Sequence, residues 1–233
     1  MANFRSSGIL LDFVSLFFPD YCLACGGSLV KGEEIICTLC MLEMPQTEYH
    51  HVDENPLQAR LAYRFPVKHA MALYKFSKSG RVQHLLHQLK YRNHPEIGVA
   101  LGRYYGEKIM EVNLREELDL IIPIPLHPVR KRKRGYNQSA KFAEGLSERL
   151  HIPFTDDLME RKNETQTQTN KTKLDRWENI NGVFGIKTPQ SVRGKKILLV
   201  DDVITTGSTL EACSQVLLKN GCDQLNIACI AEA

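Results

Sequence analysis

The chain has 233 residues, of which 43% are apolar and 24% charged, values typical of globular proteins. This composition excludes a largely disordered chain, a collagen-like chain and a multispan membrane protein. The net charge is only +3, so a nucleic-acid binder is not indicated overall, although local basic clusters remain candidates. Seven cysteines, an odd number, argue against a secreted disulfide scaffold and favour metal binding and reduced thiols.

The first predicted element is an apolar helix within residues 8–19. Asp12 interrupts this stretch and Pro19 ends it, so it is shorter than the roughly 20 apolar residues that a membrane-spanning helix needs. Arg5 is the only early positive charge, which argues against a signal peptide. We expect the helix to dock on its own domain. Docking on a membrane surface or on a partner is the alternative.

Two CxxC pairs follow this helix. Cys22 and Cys25 form the first pair and Cys37 and Cys40 the second, with eleven residues between the pairs. Four thiolates satisfy a tetrahedral zinc ion and leave no open position, so the pattern predicts a structural zinc site. An iron–sulfur cluster or two redox-active pairs are the alternatives.

The remaining residues, 46–233, alternate between strand-like apolar runs and amphipathic helical patterns, and we expect them to form one domain after a zinc-binding unit of residues 1–45. The predicted strands are residues 69–76, 120–125, 197–200 and 225–230, and the predicted helices are residues 82–89, 96–112, 138–150 and 207–219. This alternation predicts an α/β fold with a mostly parallel sheet flanked by helices. Ligands of such sheets bind at the carboxyl ends of the strands.

An acidic pair, Asp201 and Asp202, follows the predicted strand 197–200 and is expected to be exposed. Two adjacent carboxylates suit the vicinal hydroxyls of a sugar or a hydrated Mg²⁺. The next residues carry hydroxyls and open a helix, which offers backbone N–H groups and the helix dipole to a phosphate. A capping box between Ser208 and Glu211 is the structural alternative for Ser208. The pattern predicts a site for a sugar phosphate, and no nucleotide P-loop motif is present.

The segment LLVDDVITTGST resembles the 5-phosphoribosyl-1-pyrophosphate (PRPP) signature of type I phosphoribosyltransferases. The resemblance implies their fold and Mg²⁺-bound PRPP as the ligand. It also implies that the acidic pair binds the ribose hydroxyls and that residues 205–209 surround the 5-phosphate. The implied PRPP-binding residues are Asp201, Asp202, Val203, Thr205, Thr206, Gly207, Ser208 and Thr209.

Five consecutive basic residues, 130–134, follow the predicted strand 120–125 in a segment that we interpret as a loop. Basic side chains at a strand end can neutralise pyrophosphate, which carries several negative charges. Arg130 and Arg134, together with Asp201 and Asp202, are therefore the predicted catalytic residues. A solvated surface run and a contact with nucleic acid are the alternatives for this segment.

Cysteines and histidines outside these motifs are predicted to be structural. Cys213, Cys222 and Cys229 lie in apolar patterns and are expected to be buried. His84 and His87 are spaced as metal ligands can be, but no third ligand is evident nearby, so we expect them at the surface.

A polar segment that begins with Arg161, Thr165 and Gln168 and ends at Phe184 resembles the flexible catalytic loop of the same fold. The order of the four-cysteine unit, the basic segment, this loop and VDDVxTTGxT resembles the ComF family of competence-associated proteins over nearly the whole chain. Members of that family are linked to DNA uptake and are predicted phosphoribosyltransferases. We expect a cytoplasmic protein that binds PRPP, with single-stranded DNA and the DNA-uptake machinery as further candidate partners.

Two functions follow from the sequence. In the first, the protein is an enzyme that transfers the phosphoribosyl group of Mg²⁺-bound PRPP to an unidentified acceptor by positioning and charge stabilisation. In the second, it is a non-catalytic module that binds PRPP and single-stranded DNA. A PRPP amidotransferase is disfavoured because Ala2 stands where that enzyme has its nucleophilic cysteine.

Overall fold

The computed structural model describes residues 19–161 and 183–233 of the chain. At its centre is a four-stranded sheet in which every pair of neighbours is parallel. Its strand order is β1-β6-β5-β2, with β1 at His69–Lys75, β2 at Leu120–Pro123, β5 at Lys196–Ile204 and β6 at Gln224–Glu232. A separate antiparallel pair consists of β3 (Met159–Arg161) and β4 (Phe184–Ile186).

The helices of the described residues lie before the first of these strands and between successive strands. They are α1 (Thr38–Glu43), α2 (Pro56–Ala62), α3 (Arg81–Tyr91), α4 (Glu96–Glu111), α5 (Pro128–Arg134), α6 (Gln138–Leu150) and α7 (Ser208–Lys219). Short 3₁₀ turns occur at Tyr49–His51, Leu114–Glu117 and Pro189–Ser191. The predicted α/β class, a parallel sheet flanked by helices, is confirmed.

The central strands are apolar along their length because helices cover both faces of the sheet. Ile121, Leu199 and Ile227, which come from three adjacent strands, are all fully buried. The registers pair Leu199 with Ile122 on one side and with Ile227 on the other. The predicted strands 69–76, 120–125 and 225–230 are each found within two residues of their expected ends.

Helices α4 and α6 pack at very short range, and glycines make this possible. A Cβ added to Gly102 would lie 2.3 Å from the carbonyl oxygen of Phe142, and one added to Gly145 would lie 2.1 Å from that of Val99. Both distances are shorter than any real carbon contact, so the two backbones approach as closely as only glycine allows. This contact fixes α6, whose first turn carries residues of the site described below.

The cysteine-containing N-terminal part is joined to the sheet by backbone hydrogen bonds. Lys75 N donates to Pro45 O at 2.8 Å, and Thr47 N donates to Leu73 O at 3.1 Å. Cys22, Cys40 and Met44 are buried within the same continuous hydrophobic core as the strands. The domain boundary that the sequence predicts after residue 45 remains a prediction.

Strand β5 is longer than predicted. The sequence analysis ended this strand at Val200, whereas pairing continues to Ile204, with Asp201 opposite Cys229 and Val203 opposite Ala231. The neighbouring strand β6 offers partners along this whole length, so the acidic residues stay in the ladder. The acidic pair therefore lies in the last part of strand β5 and not in the loop that follows it.

The basic segment is a helix, and its interpretation as a loop was wrong. Pro128 stands in the first turn, where its missing N–H costs nothing, and the His127 side chain accepts a hydrogen bond from Val129 N at 3.3 Å. Gly135 ends the helix in the left-handed conformation, with φ +82°. Residues that favour the start and the end of a helix thus stand on either side of the basic run.

Two predicted segments lie outside the described residues. One is the N-terminal apolar helix of residues 8–19, except for Pro19. The other is the polar segment between Arg161 and Phe184, which includes Thr165 and Gln168. The structure describes its two ends, Arg161 and Phe184, as opposite partners on β3 and β4.

Candidate functional site

The four cysteines of the CxxC pairs converge. Their sulfur atoms all lie within 4.8 Å of one another, and the Sγ atoms of Cys25 and Cys37 are 3.9 Å apart. None of the four forms a disulfide. Cys22 and Cys25 come from a tight turn, whereas Cys37 caps α1 and Cys40 lies within it.

Backbone amides point at these sulfur atoms. Cys37 N donates to Cys22 Sγ at 3.2 Å, and Ala24 N to the same atom at 3.4 Å. Burial opposes ionisation of the Cys22 thiol, but the amide hydrogen bonds outweigh burial and lower its pKa to about 7. Four converging thiols with amide donors fit the needs of a thiolate metal site, so this cluster can hold a metal such as zinc.

Asp201 is held from two directions at the carboxyl end of β5. Its Oδ1 accepts a hydrogen bond from Ser139 Oγ at 3.0 Å and another from Asp202 N at 2.8 Å. Ser139 is buried in the first turn of α6, a helix that Asn137 caps and ties to Ile124 O at the end of β2. Two strand ends and one helix therefore meet at this carboxylate.

Burial dominates the electrostatics of Asp201. Together with the adjacent charge of Asp202, burial raises the pKa of Asp201 to about 7. The expectation that both carboxylates are exposed was wrong, because both residues are half-buried and the Asp202 side chain is only 16% exposed. This difference follows from the longer strand, which keeps the pair under α6.

Lys90 is a site residue that sequence reasoning missed. It lies at the end of α3, and its Nζ is 2.9 Å from Asp202 Oδ1. The two residues are 112 positions apart, and Lys90 belongs to a helix whose pattern suggested only an apolar face. No local signal indicated that its ammonium group would contact the acidic pair.

Lys90 also lines a basic cavity of about 410 Å³ between α3 and α5. Arg130, Lys133 and Arg134 contribute further positive charge to its wall. Arg134 donates to Gln138 Oε1 at 2.6 Å, and its guanidinium lies 5.2 Å from the ring centre of Tyr91. The two predicted arginines therefore lie together, and Lys90 connects their cavity to the acidic pair.

The other basic residues of α5 face elsewhere. Lys131 and Arg132 line a different cavity of about 360 Å³, beside Asp156 and Arg161. The Lys131 Nζ lies 3.5 Å from Asp156 Oδ2. The basic run is thus divided between two faces of one short helix.

The hydroxyl-rich segment forms the turn into α7. Thr205, Thr206, Ser208 and Thr209 are exposed there, whereas Gly207 is buried with φ +78°. The helix has no side-chain cap, so the capping box between Ser208 and Glu211 does not form. Within the turn, Ser208 N donates to Thr206 Oγ1 at 3.4 Å and the hydroxyls of Thr206 and Ser208 are 3.1 Å apart, while the exposed hydroxyls of Thr205 and Thr209 lie beside them.

Arg64 lies beside this turn and was also missed by sequence reasoning. Its Nη1 is 3.4 Å from Glu211 Oε2, the carboxylate that the capping box would have used. A Cβ placed on Gly207 would lie 3.0 Å from Leu61 Cδ2 and 3.7 Å from Arg64 Nη1. The Arg64 guanidinium therefore lies close to the backbone of the turn at Gly207.

The structural predictions for the other cysteines and histidines hold. Cys213, Cys222 and Cys229 are buried, and His84 and His87 are exposed.

No helix of the described residues is long and apolar enough to cross a membrane.

A family model described as a phosphoribosyl transferase domain matches residues 136–233, which include α6, β5 and α7. The DNA utilization protein YhgH of Shigella flexneri is 29% identical over 92% of this chain and 98% of its own length. Competence protein F of Haemophilus influenzae is 28% identical over 93% of this chain and 99% of its own length. Competence protein ComFC of Bacillus subtilis is 30% identical over 88% of this chain and 82% of its own length. The chain therefore belongs to the ComF family, which includes competence proteins F and ComFC, and its C-terminal part is a phosphoribosyltransferase domain.

Proposed function

We propose that the protein binds PRPP with Mg²⁺ at the carboxyl edge of the sheet and transfers its phosphoribosyl group to an acceptor. The observation that carries this proposal is the contact between Lys90 and Asp202, because it makes the acidic pair and the basic cavity parts of one site. PRPP is a sugar that carries a phosphate at one end and a pyrophosphate at the other. This arrangement matches an acidic pair that lies between the basic cavity and the turn into α7.

In this proposal the acidic pair binds the ribose hydroxyls. Ser139 and the Asp202 amide hold the Asp201 carboxylate in place, so it can accept a sugar hydroxyl without reorienting. Without ligand, the Lys90 ammonium group pairs with the Asp202 carboxylate, so ligand binding would have to move this ammonium group. Pyrophosphate bound in the adjacent cavity would give it another anionic partner.

The 5-phosphate would bind at the turn into α7. This turn supplies backbone amides, exposed hydroxyls and the positive end of a helix of 12 residues. Gly207 gives this turn its left-handed backbone, with φ +78°, and Arg64 lies near enough to the turn to add charge. The predicted role of residues 205–209 thus remains our proposal, with Arg64 added.

The pyrophosphate would occupy the cavity beside Arg130 and Arg134. In the transfer, the bond between the ribose carbon and the pyrophosphate oxygen breaks, and the electron pair leaves with pyrophosphate. The acceptor supplies the electron pair for the new bond to the same carbon. Lys90 and the cavity arginines would stabilise the charge that develops on the leaving group. Mg²⁺, which the acidic pair and the pyrophosphate can hold, would neutralise part of that charge.

We further propose that Cys22, Cys25, Cys37 and Cys40 hold one structural zinc ion. Four thiolates leave no open position for chemistry, so the ion would stabilise the N-terminal part. None of the seven cysteines forms a disulfide, which suits a reducing compartment such as the cytoplasm, to which we assign the protein.

A non-catalytic role in DNA handling is the second candidate. Its support is the face of α5 that carries Lys131 and Arg132, which is exposed and does not line the cavity of Lys90. The three relatives named above bear names that refer to competence or DNA utilization. In this alternative the basic face binds single-stranded DNA and PRPP acts as a regulator.

The two faces of α5 provide a matched experiment. We expect Arg130→Gln with Arg134→Gln to weaken PRPP binding by about tenfold or more, because two charge-assisted contacts are lost, and to spare ribose 5-phosphate. Lys131→Gln with Arg132→Gln removes the same charge from the other face and should leave PRPP affinity unchanged. Equal effects of the two double variants on PRPP would contradict the assignment of the cavity.

Catalysis and DNA binding are distinguished by two further measurements on the same variants. Pyrophosphate release from PRPP in the presence of candidate acceptors tests transfer. Single-stranded DNA binding at several salt concentrations tests the alternative, which predicts a smaller salt slope for Lys131→Gln with Arg132→Gln. DNA binding with no pyrophosphate release would favour the non-catalytic role.

A further inference from the structure

A second group of metal-ligating side chains lies outside both sites described above. Glu48, His50 and His51 offer one ligand atom each, and these atoms lie within 4.8 Å of one another. Both imidazole Nε2 atoms are 3.6 Å from Glu48 Oε2. The ring centres of the two histidines are 4.2 Å apart.

The backbone that carries this group is anchored to the sheet. Thr47 N donates to Leu73 O on β1, and Asn55 Nδ2 donates to Ala70 O at 2.9 Å on the same strand. Asn55 Nδ2 also reaches Tyr49 O at 3.4 Å, within the 3₁₀ turn of Tyr49–His51. The three side chains therefore project from a short turn that is tied to β1 on both sides.

His50 is the feature that calls for an explanation. Its side chain is only 1% exposed, yet neither of its ring nitrogens has a hydrogen-bond partner among the described residues. Buried polar atoms are almost always paired, so an unpaired imidazole suggests a partner of another kind. The separation of 3.6 Å from Glu48 is too long for a direct hydrogen bond.

We propose that Glu48, His50 and His51 form a second metal site, which takes a divalent transition metal such as Zn²⁺. Two ligands of a tetrahedral zinc ion are about 3.3 Å apart when each bond is about 2.0 Å long. The observed separations of 3.6 Å approach this value without rearrangement of the turn. An ion between the three side chains would satisfy the buried Nε2 of His50.

The donor set selects the kind of metal. Two imidazoles and one carboxylate suit zinc and neighbouring transition metals, whereas Mg²⁺ and Ca²⁺ prefer oxygen ligands alone. Glu48 and His51 are 52% and 45% exposed, so an ion can enter and a water molecule can complete its coordination. This site would exchange its metal more readily than the four-cysteine cluster, in which Cys22 and Cys40 are buried.

Metal titration of the full chain tests the proposal. Protein with its cysteine cluster already loaded should bind a further equivalent of Zn²⁺ or Co²⁺ in equilibrium dialysis. Co²⁺ bound at this site should show weak ligand-field absorption without thiolate-to-metal charge transfer, because no sulfur coordinates it. The thiolate signature therefore distinguishes the new site from exchange into the cysteine cluster.

Two variants at exposed positions locate the ligands without disturbing the core. Glu48→Gln and His51→Gln should each weaken the further equivalent by about tenfold or more, because each removes one of three ligands. His84→Gln, which alters an exposed histidine outside the group, should bind Zn²⁺ like the unaltered chain. Absence of a further equivalent, or its retention in both ligand variants, would overturn the proposal.

Zinc-induced stabilisation gives an independent reading of the same variants. With the cysteine cluster already loaded, added Zn²⁺ should raise the melting temperature of the unaltered chain and of His84→Gln, and that of Glu48→Gln by clearly less. An equal rise in all three proteins would also overturn the proposal.

Discussion

The four-cysteine cluster and the acidic pair are both built around groups that attract cations, but the chain assembles them differently. The four thiols come from 19 consecutive residues, Cys22 to Cys40, and backbone amides of the same segment surround them. The acidic pair instead depends on Ser139 and Lys90, which are 62 and 112 residues away from their partners. A site built from one segment can be read from its spacing, whereas a site built from distant helices requires the fold.

The two regions also differ in how they handle charge. Amide hydrogen bonds lower the pKa of Cys22 against the effect of burial, whereas burial and the neighbouring sulfur atoms raise the pKa of Cys40. At Asp201 burial prevails and raises the pKa. In the cysteine cluster the pKa shifts arise within one segment, whereas at Asp201 the shift depends on burial beneath α6.

Loss of one cysteine ligand should have the largest effect. Cys25→Ser removes an exposed ligand without leaving a cavity, and we expect the tightly held zinc to be lost and the free energy of unfolding to fall by several kcal/mol. Structural zinc contributes about 10–16 kcal/mol in zinc-finger peptides, so an effect of this size is reasonable. Elemental analysis after mild chelation, together with denaturant unfolding, provides the measurement.

Cys222→Ser is the matched control, because it replaces a thiol that lies outside the cluster. It should retain about one chelator-resistant zinc per chain. Equal zinc contents in Cys25→Ser and Cys222→Ser would mean that the cluster does not hold the metal.

The pH dependence of stability should be the next largest effect. The pKa of Asp201 rises from its ordinary 3.8 to about 7 on folding, so the native state binds the extra proton between these values. Its contribution to stability is complete below about pH 4 and is lost as the pH rises to about 7. Asp201→Asn should therefore gain stability relative to the unaltered chain over this range, measured by denaturant unfolding at several pH values.

Asp157→Asn serves as the control for this slope. The Thr155 hydroxyl lowers the pKa of Asp157, so this substitution should give no gain with rising pH. A flat difference between the unaltered chain and Asp201→Asn would contradict the burial of Asp201.

Substitution of the glycine in the hydroxyl-rich turn should have the smallest effect on stability. Gly207→Ala places an alanine at φ +78° beside Leu61, and we expect a loss of about 1–2 kcal/mol. We also expect about tenfold weaker PRPP binding, because the strained backbone and the displaced Leu61 side chain would shift the amides of the turn. Gly194→Ala carries a similar backbone strain at φ +67° in open space and should leave PRPP affinity unchanged. Calorimetric titration and unfolding of both variants measure the difference, and similar affinities would contradict the role of the turn.

Much of the fold could be predicted from sequence because the elements have strong periodic signals. The helix at Gln138–Leu150 was predicted at its observed bounds, and the parallel strands followed from short apolar runs, of which the one at residues 120–125 ends at prolines. Helix α5 was missed because its basic residues carry no apolar face and neighbouring prolines suggested a loop. Only the combination of Pro128 in its first turn and Gly135 after its last residue marks it as a helix.

The candidate site could be predicted only in part, because some of its residues are close in sequence and others come together only through the fold. Asp201, Asp202 and the turn at Gly207 belong to one continuous motif, and their residue types indicate the chemistry directly. Lys90 and Arg64 join the site through folding, and nothing in their local sequence distinguishes them from surface cations. The division of the basic run between two faces of α5 is equally a property of helical geometry.

Binding of PRPP with Mg²⁺, measured by calorimetry, tests the central claim most directly. Asp202→Asn should weaken PRPP about thirtyfold, a loss of about 2 kcal/mol, because a carboxylate that accepts ligand hydroxyls becomes a neutral amide. Asp223→Asn makes the same change at the start of β6, at the opposite end of the sheet, and should bind PRPP like the unaltered chain. Saturable PRPP binding that is lost only in Asp202→Asn is the result we predict. Equal affinities in the three proteins, or no binding by the unaltered chain, would contradict it.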